Sequence, residues 1–270
     1  GTVTFADAVG SVTPVGSGTG AAITINSGVS EFQNTVDTDS GLSITPDVTF
    51  RQDVTIGAGN TVSALSGATT LDGLTVSAGR DVTFGGAVTL SSGAVEVNTT
   101  ANDGTLEFQS TINGGQALTL VTNGTGSVDF DANVGVGPAL ASLDVTTETL
   151  NIADGVDIVT ANGDVTFTVN NMPFAGTATV DAGTATFQIT SRTATHVIEY
   201  ANGNDGTVGE DLFIDADAMT AVTAALVVIG DAAHTGLIHV GNGGNATTGR
   251  ADTEIRNNAN ILVHNGYDSS

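Results

Sequence analysis

Cysteine, lysine and tryptophan are all absent from the 270 residues. Without cysteine there are no disulfides, no thiolate metal sites and no cysteine nucleophile. Without lysine the positive charge rests on five arginines, against 29 acidic residues, for a net charge of -24. Such a surface repels phosphate backbones and anionic headgroups, which excludes nucleic acid as a partner and makes anionic membranes a poor one. The longest apolar run, from Ala218 to Gly230, is bounded by Asp217 and Asp231 and is too short to span a bilayer, so no membrane insertion is expected. Aromatics are scarce at 4%. A core must therefore be built from Val, Ile, Leu and Ala with a few Phe. Proline is low at 4 residues, and no catalytic constellation stands out.

What is present is alternation. Residues 104–152 read as short strands, Gly-Thr-Leu-Glu-Phe, Ala-Leu-Thr-Leu-Val, Gly-Ser-Val-Asp-Phe, Leu-Asp-Val and Leu-Asn-Ile, separated by Gly, Asn and small residues. Leu106 and Phe108 point to one face and Glu107 to the other. The pentad ending in Phe108 returns 22 residues later, ending in Phe130. A motif recurring at that interval marks a solenoid coil. Each unit is too small to bury its own apolar face, and stacking makes a continuous core. Gly and Asn suit corners, and Val and Thr suit extended backbone. The expectation is an all-β parallel β-helix with irregular coils near 20 residues, in preference to a sandwich, which carries longer strands and more aromatics.

Phenylalanines 5, 50, 84, 108, 130, 167 and 187 serve as coil landmarks. Uneven intervals, such as 130 to 167, predict two coils where others hold one. The residues between inward apolar pairs (Thr4, Thr49, Thr83, Glu107, Asp129, Thr166 and Thr186) predict one outward ladder. From Arg192 the texture changes, and all four histidines lie beyond it. We expect solenoid repeats over 1–190 and a continuing solenoid with insertions over 191–270, a candidate interaction region. Residues 210–228 read as two strands rather than an acidic-headed helix. Gly1-Thr-Val-Thr-Phe5 already lies inside the pattern, which reads as a mature form or a segment of a longer chain.

Gly-Asp-Val-Thr-Phe (163–167), Gly-Ser-Val-Asp-Phe (126–130) and residues 139–152 carry a family likeness. They resemble repeats of bacterial surface proteins of the filamentous-haemagglutinin and autotransporter-adhesin type, over roughly residues 42–190. A Gly/His-rich stretch at 228–244 adds to the likeness. The resemblance implies a right-handed parallel β-helix, secretion to the cell surface, and a stalk, fibre or adhesin role.

Calcium is the cation that the acidic surface would take, because carboxylates and loop carbonyls are its ligands. Under that expectation Glu107, Asp129 and Asp131 form one candidate group, and Asn202, Asn204 and Asp205 another. Asp37 with Asp39 and Asp215 with Asp217 are further pairs. No EF-hand or Gly-Gly-x-Gly-x-Asp nonapeptide is present. Glu107 and Asp129 in successive coils would lie about 4.8 Å apart as like charges. His239, between Ile238 and Val240, reads as an outward strand residue. The leading expectation is a non-enzymatic extracellular structural protein whose units associate end to end into a fibre, filament or sheath. Second is an adhesin passenger binding glycan or another cell, and a remote third is a polysaccharide-active β-helix enzyme using paired carboxylates.

Overall fold

The computed structural model describes residues 1–16, 20–57, 63–99, 103–173, 176–201, 211–215, 218–241 and 252–263. It is a parallel β-solenoid of about ten turns, each roughly 22 residues long. Every strand pairing among the described residues is parallel, and each joins one turn to another.

A turn visits three positions in order. The first sheet stacks Thr2–Phe5, Val29–Phe32, Val48–Phe50, Thr69–Asp72, Val88–Ser91 and Ile112–Asn113. Bridges from Ile112 through Val134 to Ile158 carry it on to Asp157–Val159, Thr179–Asp181 and Val222–Thr223. The second sheet begins at Val36–Thr38 and continues through Val54–Ile56, Thr75–Ala78, Val95–Thr99 and Ala117–Thr122. The third begins at Ile23–Ile25 and continues through Leu42–Ile44, Ser63–Leu65, Val82–Phe84, Leu106–Phe108 and Ser127–Phe130. One long strand, Ser142–Ile152, passes the corner and belongs to both. The second sheet then adds Val165–Asn171, Thr186–Thr190, Leu226–Gly230 and Asp252–Arg256.

Register gives the turn length. Ser30 pairs with Val48, Val48 with Thr69, Thr69 with Val88 and Val88 with Ile112, and on to Val180 the spacing stays between 18 and 24 residues. Alternation places Val, Leu, Ile and Phe inside, where they form one core running the length of the stack. Inward residues of successive turns stack as columns, mostly apolar over apolar, which buries apolar area that no single turn could hide.

The phenylalanines make three columns. Phe5, Phe32 and Phe50 stack in the first sheet, with ring centroids 4.5 and 5.2 Å apart. Phe84, Phe108 and Phe130 stack in the third, at 4.9 and 5.7 Å. Phe167 and Phe187 meet edge to face at 5.4 Å in the second. Their uneven spacing therefore reflects a change of sheet. From Phe130 the next turn brings Ile152 into register, and Phe167 lies on another face. The outward ladder likewise divides into three. Thr4, Glu31, Thr49 and Thr70 run along the first sheet. Thr83, Glu107, Asp129 and Asn151 run along the third, and Thr119, Asp144, Thr166 and Gln188 along the second.

Past Thr190 the stack continues with one irregularity. Thr186 pairs with Leu226, forty residues on. Between them the chain forms Ile198–Ala201, then Leu212–Asp215, a 3-10 turn at Ala218–Ala221 and Val222–Thr223. Ile198–Ala201 pairs with Leu212–Asp215 on one side and with Ile238–Val240 on the other. Strand order here departs from chain order. Ile261–Val263 follows Ile238–Val240. The expected strands at 210–228 are present, and the only helical feature among their described residues is that single 3-10 turn.

Candidate functional site

Glu107 and Asp129 face each other in register on neighbouring turns of the third sheet. Each is held by neutral donors of its own ladder. Thr83 Oγ1 donates to Glu107 Oε2 at 3.0 Å, and Gln109 Nε2 to Glu107 Oε1 at 3.0 Å. Ser127 Oγ donates to Asp129 Oδ2 at 3.2 Å, and Asn151 Nδ2 to Asp129 Oδ1. Asp131, one step past inward Phe130, feels both charges. Partial desolvation, then the carboxylates of Glu107 and Asp129, hold its carboxyl above the ordinary aspartate value. Each carboxylate oxygen of Glu107 and Asp129 thus accepts one hydroxyl or amide donor. Among the described residues no group of three or more His, Asp or Glu side chains is arranged to hold a metal ion. Asn202, Asn204 and Asp205, and also Asp217, lie outside the described residues.

Most of the other acidic side chains whose partners are resolved tie turn to turn. The sequence Asp-Val-Thr-Phe/Ile occurs at residues 47, 53, 81 and 164. In each case Asp Oδ1 accepts a backbone N–H from the next turn: Ala68, Thr75, Thr105 and Thr186, at 2.8 to 3.0 Å. Asn113, Asn133, Asp154 and Asn162 do the same for Gly137, Asp157, Thr177 and Thr184. The hydrogen bonds from Thr177 hold the Asp154 carboxyl below its usual value. Reading the acidic residues as a repelling surface and as calcium candidates missed this role. The signal that could have found it was an Asp placed directly before a strand, four times over.

Two arginines bridge turns. Arg51 bonds Glu31 on the preceding turn and Asp72 on the following one, and its hydrogen bond keeps the Glu31 carboxyl below its ordinary value. Arg192 reaches back to Gly124 O at 2.8 Å and Asn123 Oδ1 at 3.2 Å, with Glu148 at 3.4 Å. An open cleft of about 230 Å³ is lined by Arg80, Asp81, Asp103 and Gly104.

The C-terminal turns hold a second polar group. Strand alternation points Glu199 and His239 away from the core that contains Ile198, Tyr200, Ile238 and Val240. Both are nonetheless wholly buried, and His239 Nδ1 lies 3.5 Å from Glu199 Oε1. His239, expected as an outward strand residue, is therefore not a surface residue: it is wholly buried beside Glu199. Along the same ladder Phe213 precedes Glu199 and Leu262 follows His239. Nothing in the sequence pattern signals this pairing, because the two residues are brought together by a turn of irregular length.

No protein-family model matches this chain, and no curated protein or solved structure is significantly similar to it. The β-solenoid repeat architecture rests on the strand register itself.

Proposed function

We propose that this chain is a structural, non-catalytic extracellular protein, a β-solenoid unit of a surface fibre, filament or sheath whose units join end to end. What supports this reading is the architecture itself: a parallel solenoid of about ten turns in which every described pairing joins one turn to another, so the stack grows by adding strand to strand along one axis. Among the described residues, Val3, Val29, Ile261, Leu262 and Val263 are exposed apolar side chains on strands Thr2–Phe5, Val29–Phe32 and Ile261–Val263. A parallel strand with exposed apolar side chains is a template for another strand where a second chain can reach it. The family resemblance of residues 42–190 supports secretion and a fibrous role, and a cysteine-free chain stabilised by a hydrogen-bonded ladder suits that setting.

Sedimentation velocity tests the association. The chain is expected to form larger species as concentration rises, and Ile261→Asp, which puts a charge on an exposed apolar strand, is expected to reduce them. A wild-type chain that stays monomeric throughout would end this reading.

The forty-residue turn favours an adhesin as the second reading. Its extra strand Leu212–Asp215 interrupts the regular stack with non-repeating sequence. Glycan-array binding that is lost on deletion of 191–270 would support it.

A further inference from the structure

Three histidines of the described chain, His196, His234 and His239, all fall in the C-terminal turns. His234, like His239, is buried. It sits at a corner between Leu226–Gly230 and Ile238–Val240 and is 1% exposed. Its turn is clamped from both sides. Thr235 and Gly236 N–H donate to Ala194 O at 2.7 and 2.8 Å in the preceding turn, and Asn258 N–H donates to His234 O at 2.9 Å from the following one. Gly236 lies so close to the His196 carbonyl that a Cβ would fall 1.8 Å from its oxygen. At Gly236 the two turns approach too closely for any side chain.

Neither ring nitrogen of His234 makes a hydrogen bond of ordinary geometry. The ionisable groups facing it are few. Asp231, on its own turn, and the backbone carbonyl of His196 favour a proton on the ring, while the His196 ring opposes one. The following corner, 257–260, contributes only Asn257, Asn258, Ala259 and Asn260. Asp231 is also already engaged. Its Oδ1 accepts from Ala233 and His234 N–H at 2.6 and 2.7 Å, and its Oδ2 from Thr190 Oγ1 at 3.3 Å. Burial outweighs the favourable neighbours and lowers the value at which the ring takes up a proton.

We propose that His234 makes the C-terminal turns acid-labile: a proton on its ring opens the stacked corners 193–197, 231–236 and 257–260 while the turns before residue 160 stay closed. A neutral ring fits this dry corner, and a charged one needs water that the corner admits only by opening. The sign follows from linkage. With the folded value below the unfolded one of about 6.5, the stabilisation is complete above that pH and is lost as pH falls through the folded value. In acid the strands 198–201 and 238–240 would separate, in a molecule whose N-terminal turns persist.

Amide hydrogen exchange of the full chain at pH 7.5 and 5.5, corrected for intrinsic rates, tests this. Protection over 193–241 is expected to fall several-fold, to a limit of about tenfold, since the exposed ring titrates near 6.5 and each pH unit below that value is a factor of about ten in its protonated population. Protection over 36–152 is expected to stay unchanged. His234→Gln and His234→Leu are each expected to remove most of the fall, while His239→Gln leaves it in place. Three results would overturn the proposal: no fall, an equal fall in both segments, or a fall that survives in both His234 variants. If one His234 variant does not fold, the other and the His239 control still decide.

Discussion

At a solenoid corner the length of an acidic or amide side chain decides its role. Asp and Asn are short enough to accept a backbone N–H from the turn above without leaving their own corner, as Asp47, Asp81, Asn133 and Asp164 do. The longer Glu148, in the strand Ser142–Ile152 that passes a corner, meets side chains instead. The backbone contact needs an acceptor and does not need a charge. Asn133→Ala is therefore expected to cost about 0.5–1.5 kcal/mol, the worth of one hydrogen bond, and Asn133→Asp to cost less. Urea denaturation of the two variants compares them directly. Equal losses would show that the acceptor is irrelevant. Backbone shape matters at the same corners. Gly135 has φ of +72°, and a Cβ there would lie 2.0 Å from the carbonyl oxygen of Val159. That position requires glycine both for its dihedral and for the approach of the next turn.

At the scale of the element, the third sheet sets two like charges in register and surrounds them with donors. Facing like charges are unfavourable by roughly 0.2–1 kcal/mol, and Glu107→Gln is expected to gain about that much at pH 7 while still accepting from Thr83. The gain should shrink in acid. Asp131, held above its ordinary value by partial desolvation and by Glu107 and Asp129, destabilises the fold once ionised, and that penalty is relieved as pH falls through its folded value. Urea melts at pH 7 and pH 4, each with and without calcium, measure both effects. Calcium that stabilises the wild type but not the variant would mean that a cation bridges the carboxylates, contrary to the donor-held ladder. The register of Glu107 with Asp129 was legible in sequence, because both sit at the centre of the same pentad one turn apart. The three-sheet division was not. Alternation tells inside from outside but does not tell which face a strand occupies, so Phe130 and Phe167 were indistinguishable as landmarks. The Glu199–His239 pair was hidden for a related reason. Its turn length is set by the strand Leu212–Asp215, which enters out of chain order.

At the scale of the molecule, stability is a sum over neighbouring turns. The proposed fibre would join one unit to the next by head-to-tail contacts, which do not close on themselves and extend into filaments. The charge of -24 opposes such contacts by long-range repulsion, and salt or divalent cations would screen it. End-to-end joining therefore shows itself as length. About ten turns, at about 4.8 Å each, make a rod of about 50 Å. Negative-stain electron microscopy of the chain at rising concentration and physiological salt is the most direct measurement. Straight particles are expected, with lengths that are multiples of that rod and grow with concentration. Isolated particles of one rod length at every concentration would contradict end-to-end joining.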